Sequence, residues 1–222
     1  MDLNGPNSVP APPTYVGERP AESVAEAALE VFSRKGFEGT TTKELAAAAG
    51  VTEAIIFRHF PSKQALYTAV LDHHLESPEL QEWLAEIKRW MDLNNDEQVL
   101  RSIARSILMS YRADTRYERV LLFAALEGHE QGLAHNRQLV APIFELLRDY
   151  FARRQREGAI GSMNPGAIIG AIAGMTKNHA MITQMFGYHL EGVSDDEVIE
   201  NFVRITMNGI RPVSVTSNRV KK

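Results

Sequence analysis

The sequence predicts an all-α protein in two parts, and three observations predict it. Apolar residues recur at i, i+3, i+4 and i+7 through nearly the whole chain. Capping residues and glycine stops come close together in the first third and far apart afterwards. No segment alternates apolar and polar residues between hairpin turns, as a half-buried strand does.

Val24, Ala27, Ala28, Val31 and Phe32 fall on one helical face, and Gly36 ends that helix. A second helix opens after Thr41, where Glu44 three residues on completes a capping-box pattern, and closes at Gly50. Thr52 caps a third, short helix in which Ile56 and Phe60 stack at i, i+4; Pro61-Ser62 breaks it. Lys63 opens a fourth, with Leu66, Ala69, Val70 and His73 along one side. Longer helices are expected over 79–91, 96–112, 118–127, 139–157, 165–186 and 195–208. The domain reading is a disordered leader over 1–17, a compact unit over 18–76, a larger helical unit over 77–211 and a flexible tail over 212–222.

Residues 41–60, TTKELAAAAGVTEAIIFRHF, read as helix, tight glycine turn and second helix. Small residues Ala46 and Ala49 suit a close helix crossing, Gly50 tolerates the left-handed turn, and Val51, Ile56 and Phe60 anchor the second helix. Ala54, Phe57 and Arg58 then face outward, with Ile55 at the flank. This is a helix-turn-helix of the three-helix, homeodomain-like kind, whose outward face suits the major groove of DNA.

The run from Ala21 to Leu71 resembles the DNA-binding domain of the tetracycline-repressor (TetR) family, carried by F-x-x-K-G-F-x-x-T-T and then A-G-V-T…F-x-x-F-x-S-K. The resemblance implies a DNA-binding transcriptional regulator. Thr41, Thr42 and Lys43 would lie by the phosphates; Thr52, Glu53 and Ala54 would open the recognition helix; Phe57, Arg58 and His59 would follow, and Lys63 would grip the DNA backbone. The chain departs from the family at Phe57, where Tyr is common, and at Ile55, where a polar or small residue is common; Ile55 suits a thymine methyl.

Charge tempers this reading. Over 18–76 there are nine acids and six bases, a net −3, while 40–63 is +1. Phosphate neutralisation dominates non-specific affinity, so weak non-specific binding and a modest dependence on salt are expected.

In the second part, Gly166, Gly170 and Gly174 share one ridge of a helix opened by Asn164-Pro165, allowing a tight helix crossing. The preceding helix carries a wide apolar stripe that includes Val140, Ile143, Phe144, Leu147 and Phe151. The resemblance implies that these two helices pair with their mates in a homodimer, which would read a palindromic operator. It also implies a small-molecule effector held among the middle helices, for which Trp90, Met109, Arg112, Phe123, Met175 and His179 are candidates. Repression relieved by the effector is the mode implied.

Other classes find little support. No histidine has Glu three residues before it, His129-Glu130 does not continue as H-E-x-x-H, and no phosphate-loop, dinucleotide-binding or G-x-S-x-G motif occurs, so no enzyme, metal or cofactor is expected. The chain has no cysteine, which suits a cytoplasmic protein. The alternative is a helical interaction protein that has lost DNA binding, which the acidic N-terminal unit, Ile55 and Phe57 would fit.

Overall fold

The computed structural model describes residues 20–75 and 77–212. The leader expected over 1–17 and nearly all of the tail expected over 212–222 lie outside the described residues. Ten α-helices and no strand occur among the described residues. They are α1 (Pro20–Lys35), α2 (Thr42–Ala49), α3 (Glu53–His59), α4 (Lys63–Leu75), α5 (Pro78–Asp92), α6 (Asp96–Ala113), α7 (Arg116–Glu127), α8 (Glu130–Arg156), α9 (Pro165–Met185) and α10 (Asp195–Ile210). They form two compact units, one of residues up to 73 together with 119–133, the other of 74–118 together with 134–212.

The first unit has a core of Val24, Ala28, Phe32, Ile56, Leu66 and Val70, which the helical spacing placed inward, joined by Leu45, Tyr67 and Leu71; His73, expected on the same side of α4, is exposed instead. It also takes in most of α7, from Arg119 on, and the start of α8, which the sequence did not reveal. The reason is a set of polar contacts with no local periodicity. Arg119 Nε donates to the Ser33 carbonyl at 3.0 Å, and Tyr67 donates its hydroxyl proton to the Val120 carbonyl at 3.4 Å. Burial, helped by the Glu127 charge, pushes the Tyr67 phenol up to about 12, so it remains a donor. Glu127 Oε2 accepts from the backbone N–H of Phe37 at 3.0 Å and of Glu38 at 3.4 Å. Gly36 makes room for that carboxylate: at φ +72°, a Cβ would stand 2.0 Å from Glu127 Oε1. His129 Nδ1 accepts from the Gly132 N–H at 3.2 Å, so Nε2 carries the proton and donates to Gln64 Oε1 at 3.0 Å.

Helix α8 starts at Glu130 rather than at the expected Leu139, and it runs through Pro142. Its first turn is held from outside the helix: Gly132 lies against Tyr67 and His129, where a Cβ would be 2.7 Å and 2.5 Å from their rings.

In the second unit α6 is the central helix, packed by α5, α9 and α10. Leu100, Ile103 and Leu108 of α6 join Ile168, Ile169 and Ile172 of α9, Val203 of α10 and Phe151 of α8 in one core. A buried ion pair ties α8 to the start of α6. Arg154 gives Nε to Asp96 Oδ1 at 2.8 Å and Nη2 to Oδ2 at 3.1 Å, and Tyr150 donates its hydroxyl to the same carboxylate at 2.6 Å. The paired charge raises the Arg154 guanidinium above its ordinary range, and burial raises the Tyr150 phenol, so neither loses its proton near neutral pH. Among the described residues no helix is long and apolar enough to cross a membrane, and no cluster of metal-ligating side chains occurs.

Candidate nucleic-acid interface

Two helix starts and one turn build the interface. The Thr41 hydroxyl accepts from the Glu44 N–H at 3.2 Å, and Glu44 Oε2 accepts from the Thr41 N–H at 2.9 Å, closing the capping box. Gly50 sits at φ 66°, and the N–H groups of Gly50 and Val51 reach back to the carbonyls of Ala47 at 3.2 Å and Ala46 at 3.0 Å. The chain can then re-enter a helix after two residues. Thr52 caps α3 by accepting from the Ile55 N–H at 3.4 Å. Of the expected anchors, Ile56 is fully buried and Val51 and Phe60 are half-buried.

The opposite face of α3 is open. Thr52, Glu53, Ala54, Ile55, Phe57, Arg58 and His59 are all exposed, Ile55 at 38% and Phe57 at 45%. Arg58 makes no hydrogen bond or ion pair among the described residues. At the start of α2, Thr41 and Lys43 are exposed and Thr42 is half-buried. Thr42 donates its hydroxyl to Glu53 Oε2 at 2.5 Å, which links the starts of α2 and α3 and engages part of the Glu53 carboxylate.

Lys63 is placed differently from what the family pattern implied. Its ammonium donates to the carbonyls of Phe37 at 2.8 Å and Thr40 at 2.9 Å and lies 4.2 Å from the centre of the Phe37 ring. Two of its three protons therefore hold the loop between α1 and α2. The signal available in the sequence was only the K-G-F-x-x-T-T spacing, which does not say which carbonyls an ammonium meets.

The Lys35 ammonium, hydrogen-bonded to Glu44, is the main cause holding that carboxyl down at about 2, with the N–H and hydroxyl of Thr41 adding to it. A depressed carboxyl stabilises the fold above its ordinary value near 4.5 and ceases to as pH falls through about 2. Wild type should therefore lose stability relative to Glu44→Gln as pH falls from about 4.5 toward about 2. Melting temperatures of the two proteins across that window check this.

The residues expected for dimerisation divide. Leu147 and Phe151 lie in the core of their own chain, and Val140 and Ile143 are half-buried. Phe144 is 51% exposed, and Gly166, Gly170 and Gly174 are all exposed, the last two facing open space. The residues expected for an effector fall in both units. Met109 lines a groove between α5 and α6. Trp90 donates its indole N–H to Glu86, and Arg112 is paired with Asp195. His179 lies against Phe202, where burial lowers its pKa and keeps it neutral at pH 7. Met175 is half-buried, and Phe123 belongs to the first unit.

A capped helix, a left-handed glycine turn and a second helix with an outward face of Ile55, Phe57 and Arg58 define a helix-turn-helix DNA-binding protein. Residues 24–70 match the family of bacterial regulatory proteins of the tetR type. The chain is 27% identical over 199 residues to the HTH-type transcriptional regulator RutR of Escherichia coli K12, covering 86% of this chain and 90% of that protein. It is also 27% identical over 169 residues to the HTH-type transcriptional repressor NicS of Pseudomonas putida, covering 76% of this chain and 71% of that protein. The fold is similar to that of AibR in complex with isovaleryl coenzyme A and operator DNA, with a TM-score of 0.63 at 20% identity over 84% of this chain and 97% of that one. Residues 24–70 thus form a DNA-binding domain of the tetR type, and the chain is a DNA-binding transcriptional regulator.

Proposed function

We propose that the protein is a homodimeric repressor that reads a palindromic operator and releases it on binding a small-molecule effector. The observation that carries the reading is the α3 face, where Arg58, with no hydrogen bond or ion pair among the described residues, stands exposed beside two partly exposed large apolar side chains. Arginine is suited to bidentate hydrogen bonding with guanine, and Ile55 and Phe57 to apolar contact with thymine methyls. Thr41 and Lys43 supply phosphate contacts at the start of α2, and Lys63 is a positioning residue that keeps the preceding loop in register.

The dimer reading is supported by Phe144 and by the Gly166-Gly170-Gly174 ridge, on which a second helix can lie close. Two-fold symmetry would place two recognition helices about 34–36 Å apart, on successive turns of one DNA face. Gly170→Leu tests this. The added side chain meets nothing within its own chain and improves helix propensity, so the monomer fold is retained. Light scattering should show the variant shifted to monomer; an unchanged dimer would place the interface elsewhere.

Effector release would be a population shift, with the effector favouring a spacing of recognition helices that the operator does not fit. The relatives' roles, a transcriptional regulator and a transcriptional repressor, and AibR's capture with both a ligand and operator DNA, support this reading. An electrophoretic shift with the protein's own promoter DNA, competed by excess random DNA, tests the DNA reading. Retained binding under competition supports it; its loss favours a helical interaction protein.

A further inference from the structure

The groove between α5 and α6 has a volume of about 560 Å³ and is lined by residues of the second unit alone. Its apolar walls are Leu80 and Trp83 of α5 and Met109 and Ala113 of α6. The volume suits a ligand of drug-like size, and an indole with a thioether is an adaptable surface for an aromatic or aliphatic body.

Its charge is one-sided. Three carboxylates of α5, Glu79, Glu82 and Glu86, line it. Glu79 and Glu82 have no hydrogen bond or ion pair among the described residues, and Glu86 accepts only the neutral indole N–H of Trp90 at 3.0 Å. The cation that lines the groove, Arg105, is already engaged by Asp196 at 2.7 Å. Asp114 at its end is paired with Arg116. Those two pairs neutralise themselves and leave the three α5 carboxylates to set the field. Ser102, also lining the groove, is 95% buried by its 5% exposure, and its hydroxyl oxygen has no hydrogen-bond partner. A buried hydroxyl in that state is a polar group that an N–H donor entering the groove would satisfy.

We propose that this groove binds a hydrophobic organic ammonium: an apolar body against Trp83 and Met109, with the N–H groups directed to the carboxylates of α5. The proposal deepens the reading of the second unit as the effector-binding part and rests on it. An anion of the same shape is rejected, because three like charges would face it without a compensating cation.

The test uses three probes of one shape: 4-phenylbutylamine, 4-phenylbutanol and 4-phenylbutanoate. Trp90→Phe leaves Trp83 as the remaining tryptophan of the chain's two, so its fluorescence reports the groove. Calorimetry on the wild-type chain runs in parallel. The amine is expected to bind at least about tenfold more tightly than the carboxylate, with the alcohol between them. The double variant Glu79→Gln/Glu82→Gln, both changes on exposed side chains, should weaken the amine about tenfold with unchanged helicity and melting. Equal binding of carboxylate and amine, an unaffected double variant, or no amine binding up to about 10 mM overturns the proposal. Operator binding, measured without any probe, is scored separately. Operator binding without amine binding sinks the groove alone; amine binding without operator binding sinks the DNA reading alone.

Discussion

Replacing Arg58 with alanine should abolish sequence-specific DNA binding while leaving the folded protein and its assembly intact. The guanidinium is exposed, touches no partner among the described residues and lies in the last turn of α3 beside Phe57. Nothing in the fold depends on it, so stability should change by no more than about 0.5 kcal/mol. On DNA, a bidentate arginine–guanine contact discriminates by about 1–3 kcal/mol. A two-fold dimer loses two such contacts, roughly 2–6 kcal/mol, or about 30-fold to more than 10,000-fold in operator Kd. Affinity for random DNA should fall far less, since the phosphate contacts remain. Arg58→Lys should be nearly as poor on the operator, because an ammonium keeps the charge and lacks the fork. Titrating labelled operator with wild type and both variants measures this; equal operator affinity for Arg58→Ala would move base recognition to other residues.

The largest effect on stability is expected at Asp96. Its carboxylate is 10% exposed, receives two hydrogen bonds from Arg154 and one from Tyr150, and ties α8 to the first turn of α6. Truncation to alanine would leave the buried Arg154 guanidinium with only the more exposed Glu157 as counter-charge, its Nε and Nη2 without acceptors, and the buried Tyr150 phenol without its acceptor. Breaking such a pair from one side costs about 3–5 kcal/mol. With roughly 2–4 °C per kcal/mol for a chain of this size, the second unit should melt roughly 6–20 °C lower. Replacing all three residues together, Asp96→Leu with Arg154→Met and Tyr150→Phe, should recover much of the loss, because no charge or hydroxyl is then left unpaired. Thermal melts followed by near-ultraviolet circular dichroism compare the single and triple variants. A single variant within 1 °C of wild type, to about the error of such melts, would mean the pair is a solvated surface contact rather than a buried one.

The two predictions differ in how readable they were. Arg58 was legible in the sequence, because Gly50 at one end and Ile56 and Phe60 beneath fix which way a seven-residue helix presents its side chains. The capping box at Thr41 and Glu44, the Thr52 cap and the left-handed turn were legible for the same reason: their chemistry is local. The Asp96, Arg154 and Tyr150 knot was not, since its members are up to 58 residues apart and each is an ordinary polar residue on a helix. Nor was the role of Glu127, whose hydrogen bonds to Phe37 and Glu38 span about ninety positions and account for the first unit's claim on the end of α7. Lys63 shows the limit of a motif. The spacing places the residue at the start of α4, but the carbonyls that hold its ammonium come from the loop between α1 and α2. The apolar stripe on α8 shows the limit of periodicity: Leu147 and Phe151 face their own core, and Phe144 on the same stripe faces out.

The measurement that tests the account most directly is selection of bound sequences from a random DNA pool with the purified protein at moderate salt. The account predicts recovery of one palindrome whose half-sites are centred about one helical turn apart, with guanine at a fixed position in each half for Arg58. Recovery of an unpaired single half-site, or no enrichment by a protein shown to be folded, would contradict the dimeric reader.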